Sequence, residues 1–275
     1  MNKEQAELQR NIITIRLEEP VPETQKGHIA VGASSIIGTR KNQQDSIYTS
    51  CERDMAIAVV CDGMGGMEGG ELASQLAIQT LSEEYEHREQ KQIPDLYRKA
   101  VIHMDAGVNG LTRQDGETMN AGTTVVSAII QNDQLYWLSV GDSRIYMIRG
   151  NEFEQVTRDH NYKMRLDKLL QEDMISQEEY LSRLAKGEAL ISYIGMGNVT
   201  LMDINPAPFQ LMDKDVVLLC SDGLYKRLSD EEIQAIICQE LPDVDKAAQR
   251  LTQVVMEKTT RSQDNTSVIL MQYHQ

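Results

Sequence analysis

Two apolar runs, each followed directly by an aspartate and a glycine, constrain the fold of this chain more than any other feature. Residues 56–61 (AIAVVC) lead into Asp62, and residues 216–221 (VVLLCS) lead into Asp222. Uninterrupted apolar runs of this length, bounded by glycine, are typical of strands in the core of a sheet. Each aspartate is therefore predicted to lie where a buried strand ends. Two carboxylates at two strand ends can converge on a metal ion.

Asp-Gly is also a common turn dipeptide, so a turn explains either copy taken alone. A third copy, which begins at Asp115, follows no apolar run and is predicted to be a plain loop. The metal-site interpretation therefore depends on other motifs in the chain.

Six short motifs supply that support, because together they occur in the order that characterises one enzyme family. They are residues 38–46, 62–66, 121–124, 138–144, 220–224 and 263–267. In this order they resemble the metal-dependent serine/threonine protein phosphatases of type 2C, in their bacterial form, over about residues 28–273. The resemblance implies an α+β fold, a four-layer α/β/β/α sandwich in which helix pairs flank two central antiparallel sheets.

The pattern of apolar residues fits layered sheets covered by helices. Apolar residues at helical spacing predict helices over 97–111 and 244–255. Ser229 is a candidate N-terminal cap for a further helix that precedes the one beginning at residue 244. Short turns separate three predicted strands of an antiparallel meander, 123–130, 134–140 and 144–148.

The chemistry of the aspartates points to a hard divalent cation. Oxygen ligands without cysteine or histidine favour Mg²⁺ or Mn²⁺ over zinc or copper. Two such ions sharing a carboxylate lower the pKa of a bound water and so give a hydroxide nucleophile. The reaction implied is direct in-line displacement at phosphorus, with no phosphoenzyme.

The resemblance assigns a role to each matching residue. Asp62 would bridge two Mn²⁺ or Mg²⁺ ions, and Gly63 would bind through its carbonyl. Asp222 and Asp264 would bind one of the two ions. Asp45 would act from the side of the other ion, through water.

Two further residues have a structural alternative beside the functional role. Arg40 matches the arginine that grips the substrate phosphate, a role suited to its planar, permanently charged fork, and its alternative is a surface arginine. Asp142 matches an aspartate that, with Asp222, holds a third and weaker ion in bacterial members. Its alternative is a turn aspartate that accepts hydrogen bonds from nearby backbone amides.

The chain is predicted to form one catalytic domain, residues 28–275, after an N-terminal extension over residues 1–27. Residues 12–15 of the extension could add an edge strand. About residues 160–198 correspond to the family's flap, a variable segment beside the active site that affects substrate access.

The composition restricts which binding partners and which cellular compartment are expected. A net charge of −15 argues against nucleic-acid binding, which depends on neutralising phosphates with lysine and arginine. The 4 cysteines show no close pairing, which suits a reducing compartment. No leader precedes the domain and no apolar run approaches about 18 residues, so a cytoplasmic protein without a membrane partner is predicted.

The function predicted from these features is metal-dependent hydrolysis of phosphoserine and phosphothreonine in proteins, in a binuclear site. Phosphorylated proteins are the expected substrates, and a serine/threonine kinase is the partner that the family implies. The main alternative is a noncatalytic phosphoprotein-binding regulatory domain of the same fold. A calcium-binding structural protein is disfavoured because the sequence has no loop of alternating oxygen ligands.

Overall fold

Two antiparallel sheets pack face to face in this computed structural model, which describes residues 28–52, 55–65, 69–88, 92–113 and 115–275. The strands of the described residues are β1 (His28–Ile36), β2 (Asp45–Cys51), β3 (Met55–Gly65), β4 (Ala121–Thr123), β5 (Val125–Gln131), β6 (Gln134–Val140), β7 (Arg144–Arg149), β8 (Glu152–Gln155), β9 (Asp203–Ile204), β10 (Phe209–Gln210), β11 (Val216–Cys220) and β12 (Thr266–His274). The helices are α1 (Gly69–Glu86), α2 (Ile93–Asn109), α3 (Tyr162–Gln171), α4 (Gln177–Arg183), α5 (Asp222–Tyr225), α6 (Asp230–Glu240) and α7 (Val244–Glu257), with a 3-10 turn at Leu184–Lys186.

Sheet I has the order β10-β6-β5-β3-β2, with β4 also paired to β3 and β9 to β6. Sheet II has the order β1-β12-β11-β7-β8. Helices α1 and α2 cover the outer face of sheet I, and α6 and α7 cover the outer face of sheet II. A third apolar cluster fills the space between the two sheets. The predicted four-layer α/β/β/α sandwich is therefore confirmed.

The two apolar runs are central strands because both of their faces are buried. In β3, Ile57 and Val59 pack under the helices while Ala58 and Val60 pack against sheet II. In β11 the same alternation places Leu218 on the helix side and Leu219 between the sheets. A strand buried on both faces has no position for a polar side chain, which explains the uninterrupted apolar sequence.

The prediction that Asp62 marks the end of its strand is wrong. Strand β3 continues three residues further, to Gly65, because residues 63–65 pair with β4. The predicted strand 123–130 is likewise two strands, β4 and β5, which pair with different parts of β3. Short polar and glycine-rich stretches carry no alternation of apolar residues, so this pairing leaves no pattern in the sequence.

The predicted helices are present with shifted ends. The helix expected over 97–111 is α2, and it begins earlier, at Ile93, with a proline in its first turn. Ser229 forms a complete capping box with Glu232 at the start of α6, as its position predicts.

Two other sequence predictions have different outcomes. The Asp115 copy of Asp-Gly lies in a turn, where the Asp115 carboxylate accepts a hydrogen bond from the Glu117 amide at 3.0 Å. The edge strand suggested at residues 12–15 falls outside the described residues, and the domain boundary at residue 28 stays a prediction. In the part of the chain that the structure describes, no helix is both long and apolar enough to cross a bilayer.

Candidate active site

The predicted metal-binding aspartates come from both sheets. Asp45 begins β2 directly opposite Asp62 of β3, so the register of sheet I sets these two residues side by side. Asp222 begins α5 after β11, and Asp264 lies just before β12, the neighbour of β11 in sheet II. Burial raises the pKa of Asp62, and the negative charges of Asp45, Asp222, Asp142 and Asp264 raise it further. The packing of the two sheets therefore concentrates negative charge at one edge.

Asp45 is the most deeply buried of these four residues, with 3% of its surface exposed. Its Oδ2 accepts hydrogen bonds from Ser221 Oγ and Ser267 Oγ, each at 2.8 Å. No described group donates to its other oxygen, Oδ1, although that atom is also buried. Burial, reinforced by the charges of Asp222 and Asp264, raises the pKa of Asp45 to about 7.

The backbone of Asp62 is fixed by two threonines of the 121–124 motif. Its amide donates to Thr124 Oγ1 at 3.1 Å, and its carbonyl accepts from Thr123 Oγ1 at 3.0 Å and from the Thr124 amide at 2.9 Å. Burial raises the pKa of the Asp62 carboxyl well above its usual value, and the charge of Asp45 adds to this effect. The sequence marked the motif but gave these threonines no role.

Gly63 lies where two backbone segments come close together. A Cβ on this residue would lie 2.0 Å from the carbonyl oxygen of Gly70 in α1 and 2.6 Å from that of Gln44. The Gly63 amide donates to the same Gln44 carbonyl at 3.1 Å. Only glycine lets β3, α1 and the loop before β2 meet here.

Lys226, which sequence reasoning did not single out, lies among three carboxylates that come from α5, from the flap and from the turn between β6 and β7. Its Nζ is 2.6 Å from Asp222 Oδ2, 3.8 Å from Glu188 Oε2 and 4.0 Å from Asp142 Oδ2. Burial lowers the pKa of Lys226, but the charges of the three carboxylates outweigh that effect and raise it. Burial also raises the pKa of Asp142 to about 6, with a further contribution from the charge of Asp222.

Arg40 lies at the exposed rim of the site, where its Nη2 is 2.5 Å from Asp264 Oδ2. The two side chains are 59% and 41% exposed, so the pair is open to solvent. An exposed ion pair contributes little to stability. The guanidinium is therefore accessible to an anion that approaches from solvent.

The flap is anchored close to Asp62. Within residues 160–198, backbone hydrogen bonds join Ile194 to Thr123 at 2.9 and 3.0 Å. Directly after Ile194, the flap is also held by α2, because the buried Asp105 accepts hydrogen bonds from the amides of Gly195 at 2.7 Å and Gly197 at 3.1 Å. The last turn of the flap is thereby fixed against the threonine motif that also holds the Asp62 backbone.

The donor set fits a hard divalent cation. It consists of carboxylates and a backbone carbonyl, and it includes a buried carboxylate oxygen without a donor among the described residues. Burial, and after it the negative charge of neighbouring carboxylates, raises the pKa of Asp45 and of Asp62. As the side chains stand, no three histidine, cysteine, aspartate or glutamate side chains among the described residues are arranged so that they could hold a metal ion together. Asp222 and Asp264 instead pair with Lys226 and Arg40, and each would have to turn toward an ion to bind it.

Comparison with known proteins shows which family this chain resembles. Residues 30–166 match the family model Protein phosphatase 2C. The serine/threonine phosphatase stp of Listeria monocytogenes serotype 4b is 30% identical to this chain over 230 residues, which cover 78% of this chain and 84% of the relative. The chain belongs to the protein phosphatase 2C family. The prediction of a bacterial-type phosphatase of this family is thus confirmed.

Solved structures of serine/threonine phosphatases share the fold. The serine/threonine phosphatase PstP/Ppp of Mycobacterium tuberculosis is 26% identical, with a TM-score of 0.73 over 90% of this chain and 99% of that one. The catalytic domain of PstP in complex with 2 manganese ions is also 26% identical, with a TM-score of 0.71 over 91% of this chain and 100% of that one. The second of these structures shows that a relative with this fold holds two metal ions.

Proposed function

We propose that this protein hydrolyses phosphoserine and phosphothreonine in other proteins and depends on two Mn²⁺ or Mg²⁺ ions to do so. The observation that carries the proposal is the concentration of Asp45, Asp62, Asp222 and Asp264 at one edge of the two sheets, with the buried Oδ1 of Asp45 lacking a donor among the described residues. Carboxylates brought this close repel one another and are stabilised by divalent cations.

Five residues would hold the two ions. Asp62 would be shared by both ions, and Gly63 would bind through its backbone carbonyl. Asp222 and Asp264 would bind one of the two ions through their carboxylates. Asp45 would act from the side of the other ion, held in a single orientation by its two serine donors. When bound, the ions supply charge that stabilises the transferring phosphoryl group and a nucleophile at neutral pH.

Sheet I would contribute to catalysis by holding Asp45 and Asp62 in fixed positions before the substrate binds. Asp45 and Asp62 are set opposite each other by the β2–β3 register, and the two threonines hold the Asp62 backbone in place. Such prior fixation avoids a cost of reorganisation when the substrate binds. Arg40 would bind the substrate phosphate through its guanidinium, leaving its pairing with Asp264 as it does so.

Phosphorylated proteins are the proposed substrates, and a serine/threonine kinase would supply them. This part of the proposal is supported by the relatives, which include the stp phosphatase and PstP. A cytoplasmic location, where such kinase substrates occur, is proposed with it. The net charge of −15 does not oppose an anionic substrate, because bound divalent ions reverse the sign of the charge locally.

The proposal is tested by hydrolysis of a phosphothreonine peptide and a small aryl phosphate with Mn²⁺, with Mg²⁺ and with a chelator. Turnover is expected with either metal and is expected to stop with the chelator. Asp62→Ala serves as the blank that reveals contaminating phosphatases. Absence of turnover with every metal, together with intact binding of the phosphopeptide, would instead identify a noncatalytic phosphoprotein-binding domain.

Arg40→Ala is expected to raise KM for the phosphopeptide by about 10- to 100-fold, with a smaller change in kcat. The estimate follows from the loss of roughly 1.5–3 kcal/mol that a hydrogen bond to a charged group contributes. Initial rates over a range of peptide concentrations separate KM from kcat. Arg98→Ala is the matched control, because Arg98 is also an exposed arginine, 52% exposed, in an ion pair with an aspartate. An unchanged KM in Arg40→Ala would remove the phosphate-binding role.

A further inference from the structure

Lys226 carries a covalently tethered positive charge into the aspartate cluster. Its Nζ is 2.6 Å from Asp222 Oδ2 and 4.0 Å from Asp142 Oδ2, so the ammonium lies between these two carboxylates. Asp142 comes from the turn between β6 and β7, while Asp222 begins the helix that follows β11. The ammonium therefore joins two parts of the chain that are far apart in sequence.

The position of Lys226 is dictated by local geometry. Lys226 follows Asp222 by four residues, and its amide donates to the Asp222 carbonyl at 3.0 Å, which closes one helical turn. Residues four apart lie on the same side of a helix, so the lysine stem extends along the helix toward the Asp222 carboxylate. The short spacing makes the approach of the ammonium to Asp222 a property of the helix itself.

A third acidic residue limits the freedom of the ammonium. Glu188 of the flap places Oε2 at 3.8 Å from the same Nζ. Three carboxylates therefore surround one ammonium whose side chain is 44% exposed. A group with several anionic neighbours is held more firmly than a single exposed ion pair.

We propose that the Lys226 ammonium takes the place of a third divalent ion between Asp142 and Asp222, so that this protein takes up two ions instead of three. The inference rests on the proposed two-metal function. A divalent cation between these carboxylates would meet the ammonium at short range, and the like charges repel each other. Asp222 uses only Oδ2 in its 2.6 Å contact with Lys226, and a carboxylate has a second oxygen for one of the two remaining ions.

Manganese bound per chain measures this directly, without substrate. The full chain and its variants are dialysed to equilibrium against increasing Mn²⁺, and the metal is counted by mass spectrometry. The natural protein is expected to bind two ions. Lys226→Met, which keeps the length of the side chain but removes its charge, is expected to bind a third ion. Lys226→Met combined with Asp142→Asn is expected to return to two.

Two further variants separate charge from fold. Lys226→Arg retains a positive charge and is expected to bind two ions. Lys246→Met is the matched control, because it removes an equal charge from a lysine that is 2.5 Å from the carboxylate of Glu240, and it is also expected to bind two. If Lys226→Met does not fold, as judged by its melting curve, Lys226→Gln provides the same comparison.

Three ions bound by the natural protein, or an unchanged count in a folded neutral variant, would overturn the inference. A third ion that persists after Asp142→Asn would overturn it as well, because the ion would then lie elsewhere. These outcomes are distinct from failure of the proposed function. A protein that shows the expected counts but hydrolyses no phosphopeptide would refute the phosphatase activity alone.

Discussion

Asp62→Asn is expected to lower kcat for the phosphopeptide roughly a thousandfold, the effect of losing about 4 kcal/mol of transition-state stabilisation. The reason is the central position of Asp62, because its pKa is raised by burial and also by the charges of Asp45, Asp222 and Asp264. Asparagine keeps the size of the side chain but removes the charge that a bridging ligand requires. Steady-state kinetics at saturating Mn²⁺ provide the measurement.

The same variant is expected to be more stable than the natural protein when no metal is present. Burial and the neighbouring carboxylates make ionisation of Asp62 unfavourable in the folded protein, and a neutral asparagine removes that cost. A gain of about 1 kcal/mol would raise Tm by roughly 2–4 °C in a protein of this size. Added Mn²⁺ is expected to raise Tm of the natural protein and to leave that of the variant nearly unchanged.

Asp115→Asn is the matched control, because Asp115 also precedes a glycine but lies in an exposed turn. Its kcat and its response to Mn²⁺ are expected to equal those of the natural protein. An Asp62→Asn variant that retained full turnover, or that Mn²⁺ stabilised as well as it does the natural chain, would exclude Asp62 as a metal ligand.

Gly63→Ala is expected to destabilise the fold by about 3 kcal/mol, at the upper end of the usual cost of overpacking, and to abolish turnover. The added Cβ would lie 2.0 Å from the Gly70 carbonyl oxygen and 2.6 Å from the Gln44 carbonyl oxygen. Both are backbone atoms, so relief requires β3, α1 or the loop before β2 to move. Urea unfolding in the absence of metal measures the effect on stability separately from metal binding.

Gly107→Ala provides the contrast, because its Cβ would approach only a flexible side chain, Leu76, at 3.3 Å. Gly107 lies inside α2, where alanine is favoured over glycine by roughly 1 kcal/mol. This variant is expected to be as stable as the natural protein or more so, with unchanged turnover. Equal stability of the two alanine variants would contradict the proposed role of Gly63 in the packing of β3 against α1.

Site residues could be predicted from the sequence when the residues next to them in the chain form a recognisable pattern. Asp62 and Asp222 were identified because each follows an apolar run that only a central strand explains, and the order of six motifs added Asp45 and Asp264. The role of Thr123 and Thr124 could not be predicted, because they act on the Asp62 backbone from 61 and 62 residues away. Lys226 lies close to Asp222 in sequence, and i, i+4 spacing would have been the signal to look for.

The central strands and the amphipathic helices follow from the pattern of apolar residues, because burial on one or two faces fixes which positions must be apolar, and the order of the motifs indicates the family. The way in which the acidic residues are held depends on the folded chain. Ser221 and Ser267 orient Asp45 from 176 and 222 residues away, and Lys226 comes between Asp142 and Asp222. These contacts depend on strand register and on the packing of one sheet against the other. Long-range geometry of this kind leaves no periodic pattern in the chain, so it appears only once the two sheets are assembled.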